Sequence, residues 1–259
     1  MVYEFSNFGT LEYYHIQSGR DLSFYEHMHQ AFELVVIFDG EMNVTIDKAS
    51  YSLGKGEAVL IFPNQPHSFK SVKEKHTYWI FSQELVKEFS NQSAGLLPKS
   101  NKFKPSRELL DMLTATYDGD SILKKKGVLY LLCAEFAKNA EYVKRHSVDD
   151  AFLNKIIDFV EKNYSNDCSL LNASKSLGYS YSYISRHFKK KVGISFNSFV
   201  NQFRISRACY LFKTTSISVL ECSMETGYSS VYSFIRNFKE ICKITPKEYK
   251  ETKPVIPLF

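Results

Sequence analysis

The sequence predicts a two-domain α+β protein. An N-terminal antiparallel β barrel with two appended helices is followed by an all-α domain that uses one helical unit twice, joined by a long helix. Three observations predict it. Short β-type runs broken by turns fill residues 5–82, the apolar spacing becomes helical from Pro105 onward, and a pattern at Gly178-Tyr179-Ser180 recurs 49 residues later at Gly227-Tyr228-Ser229.

At 259 residues the chain has room for two cores of ordinary size. Many short strands at close spacing, with no helices between them, favour a barrel or sandwich over a parallel sheet. Residues 32–38 and 41–46 flank Asp39-Gly40, a hairpin signal, and 47–50 reads as the next turn before 51–53. Gly54 and Gly56 precede a strand at 58–62 that ends at Pro63, and 76–81 is one more aromatic strand. Helices are expected at 106–117, with Leu109, Leu110 and Leu113 on one side, and at 121–143, with Leu129, Leu132, Cys133 and Phe136. Their apolar faces need cover, from the barrel wall or from a second subunit. The first domain is therefore expected at 1–143, a polar linker at 144–150, the second domain at 151–252 and a tail at 253–259.

The five cysteines are scattered, odd in number and form no CxxC pair, so free thiols in a reducing cytoplasm are expected, with no disulfide or zinc framework. No apolar run reaches the roughly 20 residues of a membrane span, and the first 20 residues lack a signal-peptide pattern. The net charge of +5 is unevenly placed: between Asp167 and Glu221 there is no acidic residue, while Lys175, Arg186, Lys189, Lys190, Lys191, Arg204, Arg207 and Lys213 lie in that interval. A polyanion is the natural partner for such a surface, although a solvated basic face explains the charge equally well.

Within this basic region Ser169 can cap a helix running to Leu177, Gly178 supplies a turn, and Ser180 can cap a second helix that Gly193 stops. Ile184, Phe188 and Val192 share one stripe of that helix, while Ser182, Ser185, Arg186 and Lys189 fall on the opposite face. The unit repeats over about 218–242, where Phe234, Phe238 and Ile241 are expected to point inward and Tyr232, Ile235, Arg236 and Lys239 outward. A helix at 195–212, with Phe196, Phe199, Phe203, Ala208 and Leu211 as its apolar positions, joins the two. This is the division of labour a DNA-reading helix requires, one face anchored and the other offering donors to base edges. Arg186 and Arg236 are the best base readers. Lys189, Lys190, Lys191 and Lys239 suit phosphate contact, and Arg204 and Arg207 suit ties between helices or phosphate contact.

Residues 180–189, Arg204-Ile205-Ser206-Arg207-Ala208, Gly227-Tyr228, Phe238-Lys239 and Thr245-Pro246 together resemble the AraC/XylS family of bacterial transcription factors. The resemblance implies a sequence-specific regulator of transcription, not an enzyme. Its double-stranded promoter DNA would be contacted by Tyr181, Ser182, Ser185, Arg186, Lys189, Lys190, Ser230, Val231, Tyr232, Arg236 and Lys239. It also implies a small-molecule effector in the barrel, a homodimer formed through residues 106–143, RNA polymerase as a partner if the protein activates, and no membrane association. Three kinds of departure from the family pattern stand out: Ser174 and Ser223 replace Ala, Ala173 and Cys222 replace Leu or Ile, and Lys243 stands where Gly is usual.

In the N-terminal half, His27-x-His29-x3-Glu33-x6-Gly40 and Gly56-x6-Pro63-x3-His67 resemble the two cupin motifs, the second departing through Gln65 and an early His67. In this regulator family the resemblance implies a pocket that takes a small effector, a carbohydrate among the candidates, with no metal and no other cofactor. His27, His29, Glu33, His67 and Trp79 are the candidate lining residues. Trp79 and Tyr78 suit stacking on a planar ligand or plain core packing. Three His and a Glu also suit a divalent transition metal, so a metal-binding cupin enzyme fused to a DNA-binding module is the alternative.

Overall fold

The computed structural model describes residues 2–4, 12–144 and 148–252. The chain divides into two compact units between residues 146 and 147, inside the stretch expected to be a linker. The first strand, β1 (Val2–Tyr3), belongs to the second unit, where the Tyr3 ring meets Phe199 edge-on at 5.0 Å. The start of the barrel at 5–11 and the tail at 253–259 lie outside the described residues.

The first unit is an antiparallel sheet built from β2 (Tyr14–Arg20), β3 (Ser23–Met28), β4 (Phe32–Ile46), β5 (Ala49–Leu53), β6 (Ala58–Ile61) and β7 (His67–Phe81). Strand β7 pairs with β2, β3 and β4, and β4 pairs in addition with β5 and β6. The hairpin expected at Asp39-Gly40 is not there. Residues 32–46 are one 15-residue strand that runs against β7 from Phe32↔Phe81 to Ile46↔His67, with register shifts between Ile37 and Asp39 and between Glu41 and Met42. Gly40 has φ 76, and a Cβ on it would stand 1.9 Å from the Lys73 carbonyl oxygen. Asp-Gly suits a bulge as well as a tight turn, because both need a residue at positive φ. The chain turns back at Asp47, φ 54, where β4 leads into β5. Strand β7 likewise begins at His67, not at His76.

Alternation along β4 gives the sheet two apolar faces. Val35, Ile37, Met42, Val44 and Ile46 face an interior cluster with Leu53, Val59, Ile61 and Phe69. Leu34 and Val36 face outward, into a second cluster with Trp79, Phe81 and the helices beyond. After a 3-10 turn at Gln83–Val86 come α1 (Lys87–Gln92), β8 (Leu96–Pro98) and β9 (Lys102–Phe103), then α2 (Arg107–Thr114), α3 (Ile122–Asn139) and β10 (Tyr142–Lys144). Ser106 and Ser121 cap α2 and α3 through backbone N–H groups three residues on. The barrel wall covers these helices: Leu109, Leu113, Leu129, Leu132, Cys133 and Phe136 all join the outer cluster. Strand β10 pairs with β8, so the helix expected to 143 ends at Asn139 and residues 142–144 are sheet.

The second unit is helical: α4 (Val148–Asn163), α5 (Leu170–Leu177), α6 (Tyr181–Val192), α7 (Phe196–Thr214), α8 (Val219–Glu225), α9 (Val231–Cys242) and α10 (Pro246–Thr252). Ser169 and Ser180 cap α5 and α6 as the sequence predicts, and Ser218 forms a capping box with Glu221 on α8. Two buried ladders mirror each other, Ile184-Phe188-Val192 on α6 and Phe234-Phe238-Cys242 on α9. Cys242, not Ile241, completes the second, because the four-residue step from Phe238 stays on the stripe while residue 241 is turned to its half-buried edge. On α7 the same reasoning exchanges Leu211 for the fully buried Phe212.

Helices α5 and α6 end on glycines at positive φ, Gly178 (φ 71) and Gly193 (φ 85). Gly227 also has φ 81, and a Cβ there would stand 2.3 Å from the Tyr164 carbonyl oxygen, whereas the space around Gly178 is open. Gly178→Ala is therefore expected to lower stability by about 1 kcal/mol. Gly227→Ala should cost clearly more when the two variants are compared by urea denaturation, since backbone as well as φ must give. Lys243 occupies the left-handed position after α9, φ 64. Lys243→Gly should raise the unfolding free energy by about 0.5–1 kcal/mol; an unchanged or lower midpoint would remove that account of the site.

Candidate functional site

The second unit presents the faces of α6 and α9 opposite their buried ladders. On α6, Tyr181, Ser182, Arg186, Lys189 and Lys190 are exposed and Ser185 is half-buried; on α9, Ser230, Tyr232, Arg236 and Lys239 are exposed and Val231 is half-buried. Of the residues that spacing turns outward, Ser182, Arg186, Lys189, Tyr232, Ile235, Arg236 and Lys239 are exposed and Ser185 is half-buried. Arg186 Nε donates to the Ser182 carbonyl at 3.3 Å, which lays its guanidinium along the helix surface. Tyr232, Ile235, Arg236, Lys239 and Glu240 line an open concavity on α9. Glu240 was not singled out from the sequence; its place one residue after Lys239 on the exposed edge was the available signal, and a carboxylate there can accept from a cytosine amine.

Behind these faces, anchors fix the helices. Phe152 of α4 meets the rings of Tyr179 and Tyr183 edge-on, both at 5.0 Å, which ties α4 to the turn between α5 and α6 and to α6 itself. Arg204 donates from Nε to the Tyr164 carbonyl at 2.7 Å and from Nη2 to the Asn166 carbonyl at 3.1 Å, and its guanidinium lies 5.4 Å from the Tyr228 ring centre. It thus satisfies carbonyls at the end of α4 and is a tie between helices. Ser174 and Ser223 fit where Ala is usual by bonding back to the Tyr179 and Leu220 carbonyls, at 2.6 and 2.7 Å.

In the barrel the structure brings His27, His29, Glu33 and His67 together, all buried to 3% exposure or less. His27 on β3 stands directly across from His67 on β7, with ring centres 4.0 Å apart. His29 lies in the turn after β3 and Glu33 on the interior-facing side of β4. Glu33 Oε2 is 3.0 Å from His29 Nε2 and 3.1 Å from His67 Nε2. Burial by itself would push the Glu33 carboxyl up, but the hydrogen bonds and charges of His29 and His67 outweigh it and hold it well below the usual carboxylate range. His27 is pushed down to about 3, by burial first and then by neighbouring His67.

Gln65, read from the sequence as a departure from the motif, turns out to brace the site. Its side-chain oxygen accepts from Phe62 N at 2.9 Å and from Asn101 Nδ2 at 2.7 Å, its amide donates to Asp47 Oδ2 at 2.7 Å, and its carbonyl holds His67 Nδ1 at 2.8 Å. Trp79 is not part of the site. It pairs with Leu34 and Ile16, lies on the outer face of the sheet from Glu33, and is fully buried in the outer cluster. Alternation along the strand decides this, since its parity is that of Leu34 and not of Glu33.

Two family models match the chain: an AraC-like ligand binding domain over residues 10–130 and a helix-turn-helix domain over residues 173–252. The chain belongs to the AraC family. Among its relatives, an uncharacterized HTH-type transcriptional regulator of Staphylococcus aureus is 30% identical over 156 residues, 58% of this chain and 21% of that protein. The F1 operon positive regulatory protein of Yersinia pestis is 32% identical over 103 residues, 38% of this chain and 33% of its own. The chain thus spans from a fifth to a third of the length of these relatives. ToxT from Vibrio cholerae O395, solved bound to (E)-4-(8-methylnaphthalen-1-yl)but-3-enoic acid, superposes with a TM-score of 0.50 at 15% identity, over 93% of this chain and 99% of that one, a likeness of fold. Among the described residues no helix is long and apolar enough to cross a membrane.

Gln65→Ala would leave the Asn101 amide, the Phe62 N–H and the Asp47 carboxylate without this partner. It is expected to lower the unfolding free energy by about 1–3 kcal/mol, read as a shifted midpoint in chemical denaturation; wild-type stability would show that the brace contributes nothing.

Proposed function

We propose that this AraC-family chain is a sequence-specific DNA-binding regulator of transcription, with α6 and α9 as its two reading helices. The observation that carries the reading is the repeated unit itself. Each of the two helices is anchored by a buried four-residue ladder and offers an exposed face bearing an arginine, Arg186 on one and Arg236 on the other. Arg186 and Arg236 contact base edges, Lys189, Lys190 and Lys239 contact phosphates, and Tyr232 and Ile235 suit thymine methyls or groove shape. Entry of both helices into successive major-groove segments needs a spacing of about 34 Å, one turn of the duplex.

The barrel is the effector unit of this regulator, which works in the cytoplasm as a homodimer. Leu123 and Leu131 on α3, 79% and 49% exposed, supply apolar surface for the subunit contact. A carbohydrate effector loses its main support, because the tryptophan that would stack on a sugar is sealed in the outer core. RNA polymerase becomes a partner where the protein activates. The metallo-enzyme alternative has no catalytic observation in its favour.

Gel-shift titration against the protein's own upstream region tests the reading. Binding no tighter than to random duplex would end it. Arg186→Ala should reduce the preference for the specific site by about 1–3 kcal/mol. Lys190→Ala should weaken all duplexes alike and flatten the salt dependence by about one unit of slope.

A further inference from the structure

The second unit holds a pair of thiols that its packing does not require. Cys209 on α7 and Cys242 on α9 are both buried, and their sulfurs lie 3.7 Å apart. Cys242 closes the ladder Phe234-Phe238-Cys242, and on α6 the same place is filled by Val192. An apolar side chain of that size is all that the stripe asks for. A buried cysteine commonly meets such a need as a small hydrophobe, but two sulfurs in contact can do more. To reach the roughly 2.05 Å of a disulfide they must approach by under about 1 Å each, a movement that rotation about the Cα–Cβ bonds supplies. The other cysteines are placed differently: Cys133 lies on α3 of the first unit, Cys168 just before α5, and Cys222 turns its sulfur to the Ala208 carbonyl at 3.9 Å.

We propose that Cys209 and Cys242 are an oxidation site, which peroxide joins into a disulfide that ties the end of α9 to α7 and weakens DNA reading by α9. The effect on DNA rests on the regulator reading above; the disulfide does not. The step balances. One thiolate attacks hydrogen peroxide to give a sulfenic acid and, once its hydroxide leaving group takes up the thiol's proton, a water; the second thiol then attacks the sulfenic sulfur and releases another water. Two electrons pass from the sulfurs to the peroxide. Entry is through the end of α9, because Cys242 is its last residue and the stop is Lys243 at φ 64, a conformation that strains a lysine. Such an end opens more readily than the helix middle. The hydrogen bond with Cys209, and then burial, raise the pKa of the Cys242 thiol, so it stays protonated while the turn is closed and reacts when it opens. In a reducing compartment the pair rests as thiols, and a bond made there is transient and signalling in character. The tether acts on the turn that carries Lys239, whose carbonyl accepts the Lys243 N–H at 3.0 Å. Cys209 is also hydrogen-bonded to the buried Tyr249 side chain of α10, and a disulfide sulfur has no hydrogen to donate there.

Hydrogen peroxide is the probe. The full chain is reduced, desalted and exposed to it, then measured by thiol titration under denaturing conditions, by peptide mass mapping and by gel shift. Wild type should lose two of its five free thiols, with the cross-link mapped to Cys209 and Cys242. Its affinity for its own upstream region should fall by at least about fivefold and recover with dithiothreitol. Cys242→Val, checked for native circular dichroism, should form no cross-link and keep its DNA affinity under peroxide. Cys168→Ala should form the cross-link as wild type does. Five thiols surviving a treatment that oxidises free glutathione, or a cross-link mapped to Cys209 and Cys222 instead, overturns the site. A Cys209–Cys242 bond with unchanged DNA affinity overturns its control of α9. Reduced chain that prefers its upstream region no more than random duplex sinks the regulator reading, while the mapped bond still stands or falls by mass.

Discussion

The first unit depends on one bend. Strands β4 and β7 pair along their whole length, with Glu33 at one end of the ladder opposite Ile80 and His67 at the other end opposite Ile46. In a straight strand residues 33 and 46 would lie about 43 Å apart, yet the Glu33 and His67 side chains touch at 3.1 Å. The ribbon must curl through most of a barrel turn to achieve this. It does so at two register shifts on either side of Gly40, where a positive φ and the nearby Lys73 carbonyl exclude any side chain. The curl defines an inside, fills it with the Val35 to Phe69 cluster, and leaves four polar side chains to converge at its end.

The outside of the same ladder is equally constrained. Because side chains alternate, each residue sent to the interior sends its neighbour to the helices, and the apolar stripes of α2 and α3 are covered by Leu34, Val36, Trp79 and Phe81. The quartet, the inner core and the outer core are thus consequences of one register. A slip of one residue would exchange Glu33 for Leu34 at the site and bury a carboxylate under α3.

The second unit has a different economy. Its helices α6 and α9 are held by ladders of identical spacing, but the supports are unequal. The first has a capped α6, an aromatic dock from α4 and a glycine stop. In the second, Ser230 makes no side-chain cap, the stop is Lys243 in a glycine's conformation, and the connecting turn is tightened by Gly227 against Tyr164. Copying a unit preserved its buried stripe, which packing dictates, and let its ends diverge, where single residues contribute only about 1 kcal/mol each.

The sequence alone determined whatever depends on local period and local chemistry. That includes the two-domain class, the helical unit used twice, the caps at Ser169 and Ser180, the outward set from Tyr181 to Lys239, and the spacing of His27, His29, Glu33 and His67. These are set within a few residues, where helical and strand geometry leave little choice. Tertiary structure decided what depends on partners far along the chain. Asp39-Gly40 became a bulge because β7 lies against it; residues 142–144 became a strand because β8 is there to pair with. Trp79 left the site because strand parity put it with Leu34, and Gln65 became a brace because Asn101 and Asp47 reach it from other segments. Most of all, only the curled ladder could show that His67 meets His27, His29 and Glu33 inside the barrel, since no spacing in the sequence states which strands are brought face to face.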